Sequence, residues 1–420
     1  MELTRNLLLI YAAAFLRAVG VGLTGVILGI YLGQAGFSAT FIGVTVAAGF
    51  GGAALGTLVV SYQADRFGRR RSLIVLSLLS ALGGGVALAT SPPFVLLLAF
   101  VGMINGMGRD RSAASALEQA IVPGAISDDR RTWAMAWYNL VLDAGHALGA
   151  LGALAPYLLR RWLGVNLIAS YQLAFVFFAA VNLLSAILYL FLSPQVEVVR
   201  AGAAKGIAAK VSPQSKKIVT RLAALFSLDG LGGGFLTGAL IAYWFFRRFG
   251  VTEASLSPLF FAVRVSNAGS YFIAAWLARR IGLINTMVFT HIPSSLFLMA
   301  VALAPSFGWA VTLFLAREFL VEMDVPTRQS YTVAVVRPEE RIYASGVTGL
   351  TRSVTWAAGS TFSGYVMQHL ALATPLFLGG GLKIIYDFLL FAAFRRLKPP
   401  EERLVSAADV ESSPRSDSKS

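Results

Sequence analysis

Cysteine is absent from the 420 residues, and charged side chains are scarce at 13%. Without cysteine the chain has no disulfides, thiolate nucleophiles or cysteine-ligated metal and iron–sulfur sites. Soluble domains contain about 25% charged residues, so this composition excludes an ordinary globular, disordered or fibrous protein. The three histidines, His146, His291 and His369, are scattered and form no His-Glu-x-x-His motif. Their spacing argues against an intramembrane metalloenzyme.

Hydrophobic residues, in contrast, make up 56% of the chain. A fold of this length has too little interior to bury that much apolar surface in water, so a multi-pass, all-α membrane protein is indicated. The first apolar run, from Leu7 to Leu32, is too long for the core of a secretory signal peptide. It is predicted to be the first membrane span.

Twelve segments meet the requirement of about 20 mostly apolar residues per spanning helix. They are residues 7–33, 38–62, 72–91, 93–120, 133–159, 166–192, 219–246, 255–278, 284–304, 307–335, 342–368 and 372–394. The fourth and tenth have the weakest hydropathy because each carries several charges. They are kept because removing either would break the charge topology described next.

Lysine and arginine concentrate on one side of these spans, which sets the orientation. That side carries Arg5, the arginines of 66–71, Arg130 and Arg131, the basic loop 200–221, Arg279 and Arg280, Arg337 and Arg341, and the basic tail after residue 394. The other side carries only Arg160, Arg161, Arg247 and Arg248. Both termini are therefore expected in the cytoplasm, with the protein in the plasma (inner) membrane.

The net charge of +14 belongs to the two membrane faces, because the charges within the spans balance. This pattern predicts contact with anionic lipid headgroups rather than with nucleic acid. Within the spans lie Arg17, Arg109, Arg111, Arg264, Arg317, Arg328, Arg352 and Lys383, and also Asp110, Glu118, Asp143, Asp229, Glu318, Glu322, Asp324 and Asp387.

The chain also repeats itself at about half its length. Ser61–Gly68 after span two corresponds to Ala275–Gly282 after span eight, and Pro123 corresponds to Pro338. This repeat predicts two pseudo-symmetric six-helix bundles, residues 1–192 and 219–397. A cytoplasmic linker, 193–218, joins them, and a disordered cytoplasmic tail, 398–420, follows.

The loop after span two, Asp65-Arg66-Phe67-Gly68-Arg69-Arg70-Arg71, resembles the signature of the major facilitator superfamily, Gly-x-Leu-Ala-Asp-Arg-x-Gly-Arg-Lys/Arg. Ser61 and Gln63 depart from that pattern, and Arg279 replaces the aspartate in the second copy. The resemblance implies the family's transporter fold over residues 1 to 397. It also implies a gating motif of Asp65, Arg66, Gly68, Arg69 and Arg70. The alternative is that these arginines only fix the topology.

Physically, Asp65 is placed to accept charge-assisted hydrogen bonds from a basic group or a helix N-terminus, and Gly68 permits a tight turn.

Ionisable residues inside a membrane are costly unless they are paired or hydrated, so these side chains must face a cavity or one another. The predicted substrate or proton pathway comprises Arg17, Arg109, Asp110, Arg111, Asp143, His146, Asp229, Arg317, Glu318, Glu322, Asp324, Arg328 and Arg352. The alternative for each residue is mutual neutralisation, with Glu318 paired to Arg317, and Asp110 paired to Arg109 or Arg111.

Span ten is the most informative segment. Arg317, Asp324 and Arg328 share one helical face, and Pro326 removes the backbone bond to the carbonyl of Glu322. The helix is expected to kink or break there. A kinked helix with freed carbonyls suits a binding or proton-relay segment.

Two further pairs of ionisable residues share a helical face. In span five, Asp143 and His146 lie on one face, where His146 is either a proton carrier or a hydrogen-bonded structural histidine. In span twelve, Lys383 and Asp387 are spaced i, i+4 and are predicted to form an internal ion pair.

The sequence thus predicts a secondary active transporter that moves a small solute by alternating access between the two bundles. Proton coupling is expected, with Asp143, Glu322 and Asp324 as carriers. The arginines favour an organic anion or an amphipathic compound as the solute. Efflux is slightly favoured as the direction because it is frequent in this family. No metal or cofactor is expected, the protein is expected to act as a monomer, and it is not expected to be an enzyme. The alternative is a non-transporting sensor or a lipid-moving protein on the same fold.

Overall fold

The computed structural model describes residues 2–89, 91–124, 131–197, 211–337 and 340–395. Within these ranges the chain is α-helical, apart from two short 3-10 turns and the connecting loops, and contains no β-strand. The helices are α1 (Glu2–Gln34), α2 (Ala39–Phe67), α3 (Arg69–Gly83), α4 (Pro92–Val101), α5 (Ala113–Gly124), α6 (Arg131–Gly152), α7 (Ala155–Leu163), α8 (Leu167–Leu190), α9 (Pro213–Gly234), α10 (Gly238–Phe249), α11 (Glu253–Ile281), α12 (Leu283–Ala302), α13 (Phe307–Val321), α14 (Asp324–Ala334), α15 (Arg341–His369) and α16 (Thr374–Phe394).

Seven stretches of the described chain are long and apolar enough to cross a membrane. They are 5–34, 39–67, 69–87, 167–190, 213–249, 283–302 and 374–394. Five expected spans, the fourth, fifth, eighth, tenth and eleventh, are not among them. All five carry charges, which shows that their polar faces must be buried against protein or a cavity rather than lipid.

The prediction of one continuous helix over 93–120 is wrong. The chain leaves helical geometry between α4 and α5, where Met103, Gly106 and Gly108 have positive φ angles of 55°, 59° and 72°. A continuous helix would place Arg109, Asp110 and Arg111 on three successive faces, one of them toward lipid. Unwinding at the glycines lets these charges turn inward.

Three other spans are divided as well. The expected span 219–246 is interrupted at residues 235–237, between α9 and α10. The expected span 133–159 ends as a helix at Gly152 and resumes as α7. The expected span 307–335 breaks at Glu322 and Met323, the turn before Pro326. This break confirms the interruption expected from the proline and places Arg317 and Asp324 on separate helices.

Some sequence predictions fall on residues outside the described ranges. These residues include Arg130, most of the basic linker (198–210) and the expected tail (398–420). The expected linker is shorter at its end than predicted, because α9 already begins at Pro213.

The N-terminal helices (α1–α8) and the C-terminal helices (α9–α16) share one apolar core, which includes Ile27, Phe50 and Phe175 as well as Trp244 and Phe314. The two groups approach most closely where glycines replace larger side chains. A Cβ on Gly29 would collide with the carbonyl oxygen of Ala239, and one on Gly43 with that of Ser360. These contacts lie toward the end of the molecule that carries loops 35–38, 164–166 and 250–252, called here the closed end.

The opposite end carries the tight turns at Gly68 and Gly282, with φ angles of 104° and 86°. Each turn joins a long helix directly to the next one, so the two repeat copies share a backbone geometry. Here Gly269 of α11 and Gly346 and Gly349 of α15 have no neighbouring atom within 4 Å of a built Cβ. This end is called the open end.

Candidate functional site: a charged central cavity

A cavity of about 130 Å³ lies between the unwound segment 102–112 and helices α9–α16, with His291 as its lining residue from α12. Its charged lining consists of seven basic side chains and four acidic ones: Arg109, Arg111, Arg264, Arg317, Arg328, Arg352 and Lys383, with Asp229, Glu318, Glu322 and Asp324. Nearly all of these residues were predicted from the sequence. The exceptions are Arg264 and Lys383, which were placed inside spans but not in the pathway.

The remaining intramembrane charges lie off this cavity and have the opposite balance. They are Arg17, Asp110, Glu118, Asp143 and Asp387, one basic side chain against four acidic ones. The membrane interior is neutral as a whole, yet its positive surplus faces the cavity and its negative surplus lies behind. Such segregation favours an anion in the cavity.

Arg17 anchors a buried cluster among the N-terminal helices. Its Nε lies 2.6 Å from Oδ2 of Asp110, its Nη2 contacts Glu118, and its Nη1 donates to the hydroxyl of Tyr189 over 2.8 Å. Tyr138 also donates to Glu118, over 2.9 Å. The predicted pairing of Asp110 with Arg109 or Arg111 is wrong, because the unwound backbone turns Asp110 toward α1.

His146 and Asp143 lie beside this cluster. The backbone N–H of Asp110 donates to Nε2 of His146 over 2.9 Å. This nitrogen must therefore keep a free lone pair, which the neutral imidazole has and the imidazolium lacks. Nδ1 of His146 is 3.9 Å from Asp143. These contacts favour a role for His146 as a hydrogen-bonded structural histidine over a role as a proton carrier.

Arg109 and Glu322 form a bridge across the cavity. Nη1 of Arg109 lies 2.7 Å from Oε2 of Glu322, and Nη2 donates a hydrogen bond to the hydroxyl of Tyr271 over 3.3 Å. The bridge joins the unwound segment of the N-terminal helices to the break between α13 and α14. Arg317 contacts its neighbour Glu318, as one of the alternatives predicted.

Asp229 of α9 receives three basic groups. Nζ of Lys383 lies 2.7 Å away, Nη1 of Arg328 3.1 Å and Nη2 of Arg352 3.2 Å. Arg328 also contacts Asp324. The predicted internal pair of Lys383 with Asp387 is wrong, because α16 packs against α9 and α12 and both side chains reach those helices instead.

Arg111 and Arg264 are the cavity cations without an acidic partner. Neither has a carboxylate at ion-pair distance in the part of the chain that the structure describes. Arg111 is exposed to the cavity and lies 5.2 Å from the ring centroid of Trp356, and Arg352 lies 4.6 Å from the same centroid. An aromatic platform with two guanidinium groups is therefore part of the lining.

The closed end is held by a buried ion pair that sequence reasoning missed. Glu253, at the start of α11, is fully buried; it contacts Arg160 of α7 and accepts a 2.6 Å hydrogen bond from Tyr171 of α8. The cation of Arg160 also lies 5.5 Å from the Tyr171 ring. This contact joins N-terminal to C-terminal helices. Arg160 was interpreted only as a topology charge, and nothing in the spacing distinguished it.

We expect Glu253→Gln to loosen the closed end, because the substitution leaves Arg160 without its buried acid. The natural absence of cysteine allows a single cysteine to report on this. Met107, a cavity residue, is replaced by cysteine in the otherwise wild-type protein, in Glu253→Gln and in Arg161→Gln. In oriented vesicles with an impermeant maleimide added at the closed end, this cysteine should react several-fold faster in Glu253→Gln than in the otherwise wild-type protein. Arg161→Gln removes a neighbouring exposed arginine and should leave the rate unchanged. Equal rates in all three proteins would contradict the role of Glu253.

The gating motif lies at the open end. Asp65 accepts a bond from Nε of Arg69 over 2.8 Å. The N-terminus of α3, however, is capped by Glu197, whose carboxylate accepts from the backbone N–H groups of Arg69 at 2.6 Å and Arg70 at 3.2 Å. Asp65 thus has the basic partner predicted for it, and Glu197, which follows α8, was missed. Arg66 lies exposed in the last turn of α2.

A second acid that sequence reasoning missed caps α9 near the same end. The backbone N–H of Ser212 donates to Glu340 over 2.6 Å, and this bond lowers the pKa of the Glu340 carboxyl to about 2. The carboxylate therefore stays charged at any physiological pH. This cap ties the start of α15 to the start of the C-terminal helices.

Helical bundles of this kind, with divided helices around a charged cavity, define a polytopic transporter fold. The chain belongs to the Major Facilitator Superfamily, whose family model matches residues 10–322. An uncharacterized membrane protein of Saccharomyces cerevisiae, YJR124C, is 24% identical to it over 423 residues, covering 93% of this chain and 94% of that protein.

Solved transporter structures share the fold. A variant of the nucleoside transporter NupG superposes with a TM-score of 0.74 at 15% identity, covering 92% of this chain and 99% of its own. The D-xylose–proton symporter gives 0.74 at 14% identity, covering 95% and 98%. A bacterial homolog of the human lysosomal transporter Spinster, inward-facing and occupied, gives 0.72 at 18% identity, covering 93% and 96%. At these identities the likeness is one of fold.

Proposed function

We propose that this protein is a proton-coupled secondary transporter that moves a small organic anion by alternating access. The observation that carries the proposal is the segregation of charge around the central cavity, with Arg111 and Arg264 free of acidic partners. Guanidinium groups without carboxylates are costly within a membrane unless an anion or water contacts them. A bound carboxylate or phosphate ester would supply such a contact.

The proposal also covers the arrangement of the chain in the membrane. Twelve spans form two six-helix bundles, 1–192 and 219–397, joined by a cytoplasmic linker (193–218) and followed by a cytoplasmic tail (398–420). The basic residues near Gly68 and Gly282 support a cytoplasmic open end and cytoplasmic termini in the plasma membrane. The contacts at the closed end then support an inward-facing state. The pathway residues named from the sequence and the gating motif around Asp65 remain part of the proposal.

Transport by the purified protein in liposomes tests the function. The solutes are lactate, succinate, glycerol phosphate, xylose and uridine, each with and without a protonophore. We expect the anions, and not xylose or uridine, to exchange in counterflow and to accumulate along a pH gradient. Binding without counterflow would support a sensor instead, and accumulation indifferent to the protonophore would remove proton coupling. Efflux is the proposed direction because it is frequent in the family. Net uptake in the same vesicles would show that the protein works as an importer instead.

We expect the double variant Arg111→Gln, Arg264→Gln to lower anion counterflow at least tenfold. Each charged hydrogen bond to a bound anion contributes about 1.5–3 kcal/mol, and 1.4 kcal/mol corresponds to tenfold in affinity. Arg247→Gln, which removes an exposed arginine at the closed end, is the matched control. If the double variant exchanged anions at the rate of the control, the cavity arginines would not bind the solute.

A further inference from the structure

The acids within the membrane differ in what neutralises them. Glu322, Asp324, Asp110, Glu118, Glu318 and Asp229 each contact at least one arginine. Because a guanidinium keeps its proton, an acid held by arginine is stabilised in its charged form and is a poor carrier of a mobile proton. This applies to Glu322 and Asp324, two of the three carriers predicted from the sequence.

Asp387 has a different partner. Both of its carboxylate oxygens lie close to Nδ1 of His291, at 2.9 and 3.0 Å, and both residues are almost completely buried. In the described part of the chain no arginine or lysine lies at ion-pair distance from Asp387. Asp143 shares this lack, but its side chain is 31% exposed and 3.9 Å from its histidine.

The other side of the His291 ring faces Lys383, whose Nζ is 3.3 Å from Nε2 and 2.7 Å from Asp229. An ammonium can only donate, so Nε2 must accept; a carboxylate can only accept, so Nδ1 must carry the proton. The two neighbours thus fix the tautomer of His291. They also form a row of hydrogen bonds between the cavity, which both Lys383 and His291 line, and Asp387 behind it.

We propose that Asp387 is the binding site of the coupling proton, filled from the cavity through Lys383 and His291. This rests on the proposed function. A proton passes from Nζ of Lys383 to Nε2 of His291 while the Nδ1 proton passes to Asp387. Lys383, left as a neutral amine, is reprotonated by a hydronium ion from the cavity. The sum is one proton bound from the cavity, with Asp387 neutral and His291 in its other tautomer. In that tautomer Nε2 carries the proton, so its contact with Lys383 is released and it can donate toward Oδ1 of Asp229, 4.0 Å away.

Charge explains how this proton would be coupled to an anion. The groups that face the pair from the helices around it are Asp229, Arg317, Asp324, Arg328, Arg352 and Tyr386. Arg317 is already neutralised by Glu318. The three basic groups Lys383, Arg328 and Arg352 are therefore balanced by Asp229, Asp324 and Asp387. Protonation of Asp387 leaves one positive charge in excess beside the cavity, which strengthens anion binding.

Proton and anion should therefore bind cooperatively and cross in the same direction. This consequence distinguishes the proposal from an exchange of one for the other, and under an inward proton gradient it drives uptake rather than the efflux that the family favours.

Infrared difference spectroscopy of the purified protein tests the site without any solute. Lowering the pH only to about 6, above the range near 4 in which exposed carboxylates titrate, should produce the carbonyl band of a protonated carboxylic acid in the wild type. We expect Asp387→Asn to remove this band, since asparagine keeps the hydrogen bond from His291 but cannot be protonated. Asp143→Asn should leave the band in place. A band that persists in Asp387→Asn, or is lost in Asp143→Asn, or is missing from the wild type, would overturn the proposal.

Succinate transport in liposomes supplies the second readout. Asp387→Asn should retain succinate counterflow, because neutral asparagine resembles the protonated acid that favours anion binding, yet lose at least nine-tenths of pH-driven accumulation. His291→Gln should lose the same accumulation and should form the infrared band much more slowly after a drop in pH, because the amide can hydrogen-bond Asp387 but cannot relay a proton to it. Accumulation unchanged in both variants would overturn the relay. A wild type that transports nothing would defeat the proposed function, while the infrared result would still decide the proton site.

Discussion

Replacing Asp229 by asparagine is expected to cost on the order of 3–5 kcal/mol of folding free energy and to abolish transport. Removing one partner of a buried pair leaves its counter-charges unneutralised, and that is the source of the penalty. Here three basic groups, Lys383, Arg328 and Arg352, converge on a carboxylate that is 2% exposed. Without it only Asp324 would remain in contact with one of them.

Thermal unfolding of the detergent-solubilised protein measures this effect. A second substitution, Lys383→Met, removes one of the stranded positive charges and should recover part of the lost stability. The control is Asp65→Asn, because the Asp65 side chain is 62% exposed and its ion pair with Arg69 is a surface one. Wild-type melting of Asp229→Asn would show that Asp229 does not hold these helices together.

The second large effect is expected at Arg17. Replacing it by glutamine leaves Asp110 and Glu118 buried without their cation, which should also cost about 3–5 kcal/mol. The remaining hydrogen bonds from Tyr138 and Tyr189 cannot neutralise two carboxylates. The N-terminal helices α1, α5 and α8 should therefore separate at lower temperature.

Arg5→Gln provides the matched control, because Arg5 lies on the same helix and is exposed. It should change stability by no more than about 0.5 kcal/mol. Adding Glu118→Gln to Arg17→Gln should restore part of the loss, since one orphaned charge is then removed. Two variants of equal stability, Arg17→Gln and Arg5→Gln, would contradict a structural role for Arg17.

The candidate site was largely predictable as a set of residues but not as a set of contacts. Counting charges within apolar segments identified Arg111, Asp229 and Glu322, because a charge in a membrane must face protein or water. Of the ion pairs suggested by the sequence, Arg317 with Glu318 is present, whereas Asp110 contacts Arg17 and Lys383 contacts Asp229. Spacing along one helix suggested that Lys383 pairs with Asp387, yet both reach other helices, a choice set by how α16 packs.

The divided helices show the same limit. Pro326 predicted the break in the tenth span because proline removes a backbone donor. Unwinding around Gly106 was missed: glycine lowers helix propensity but does not dictate a break. The decisive term there is the tertiary environment, in which Asp110 reaches Arg17 while Arg109 and Arg111 reach the cavity.

By itself, then, the sequence determined a multi-pass α-helical membrane protein with a signature of its family and charges that had to lie inside. These properties follow from composition and local spacing, because the bilayer tolerates few alternatives for an apolar chain. Only the tertiary structure decided which charges neutralise one another. It joined Asp387 to His291 and left Arg111 and Arg264 facing the cavity without acids. Electrostatic pairing depends on distances across helices, and the order of residues along one helix does not contain those distances.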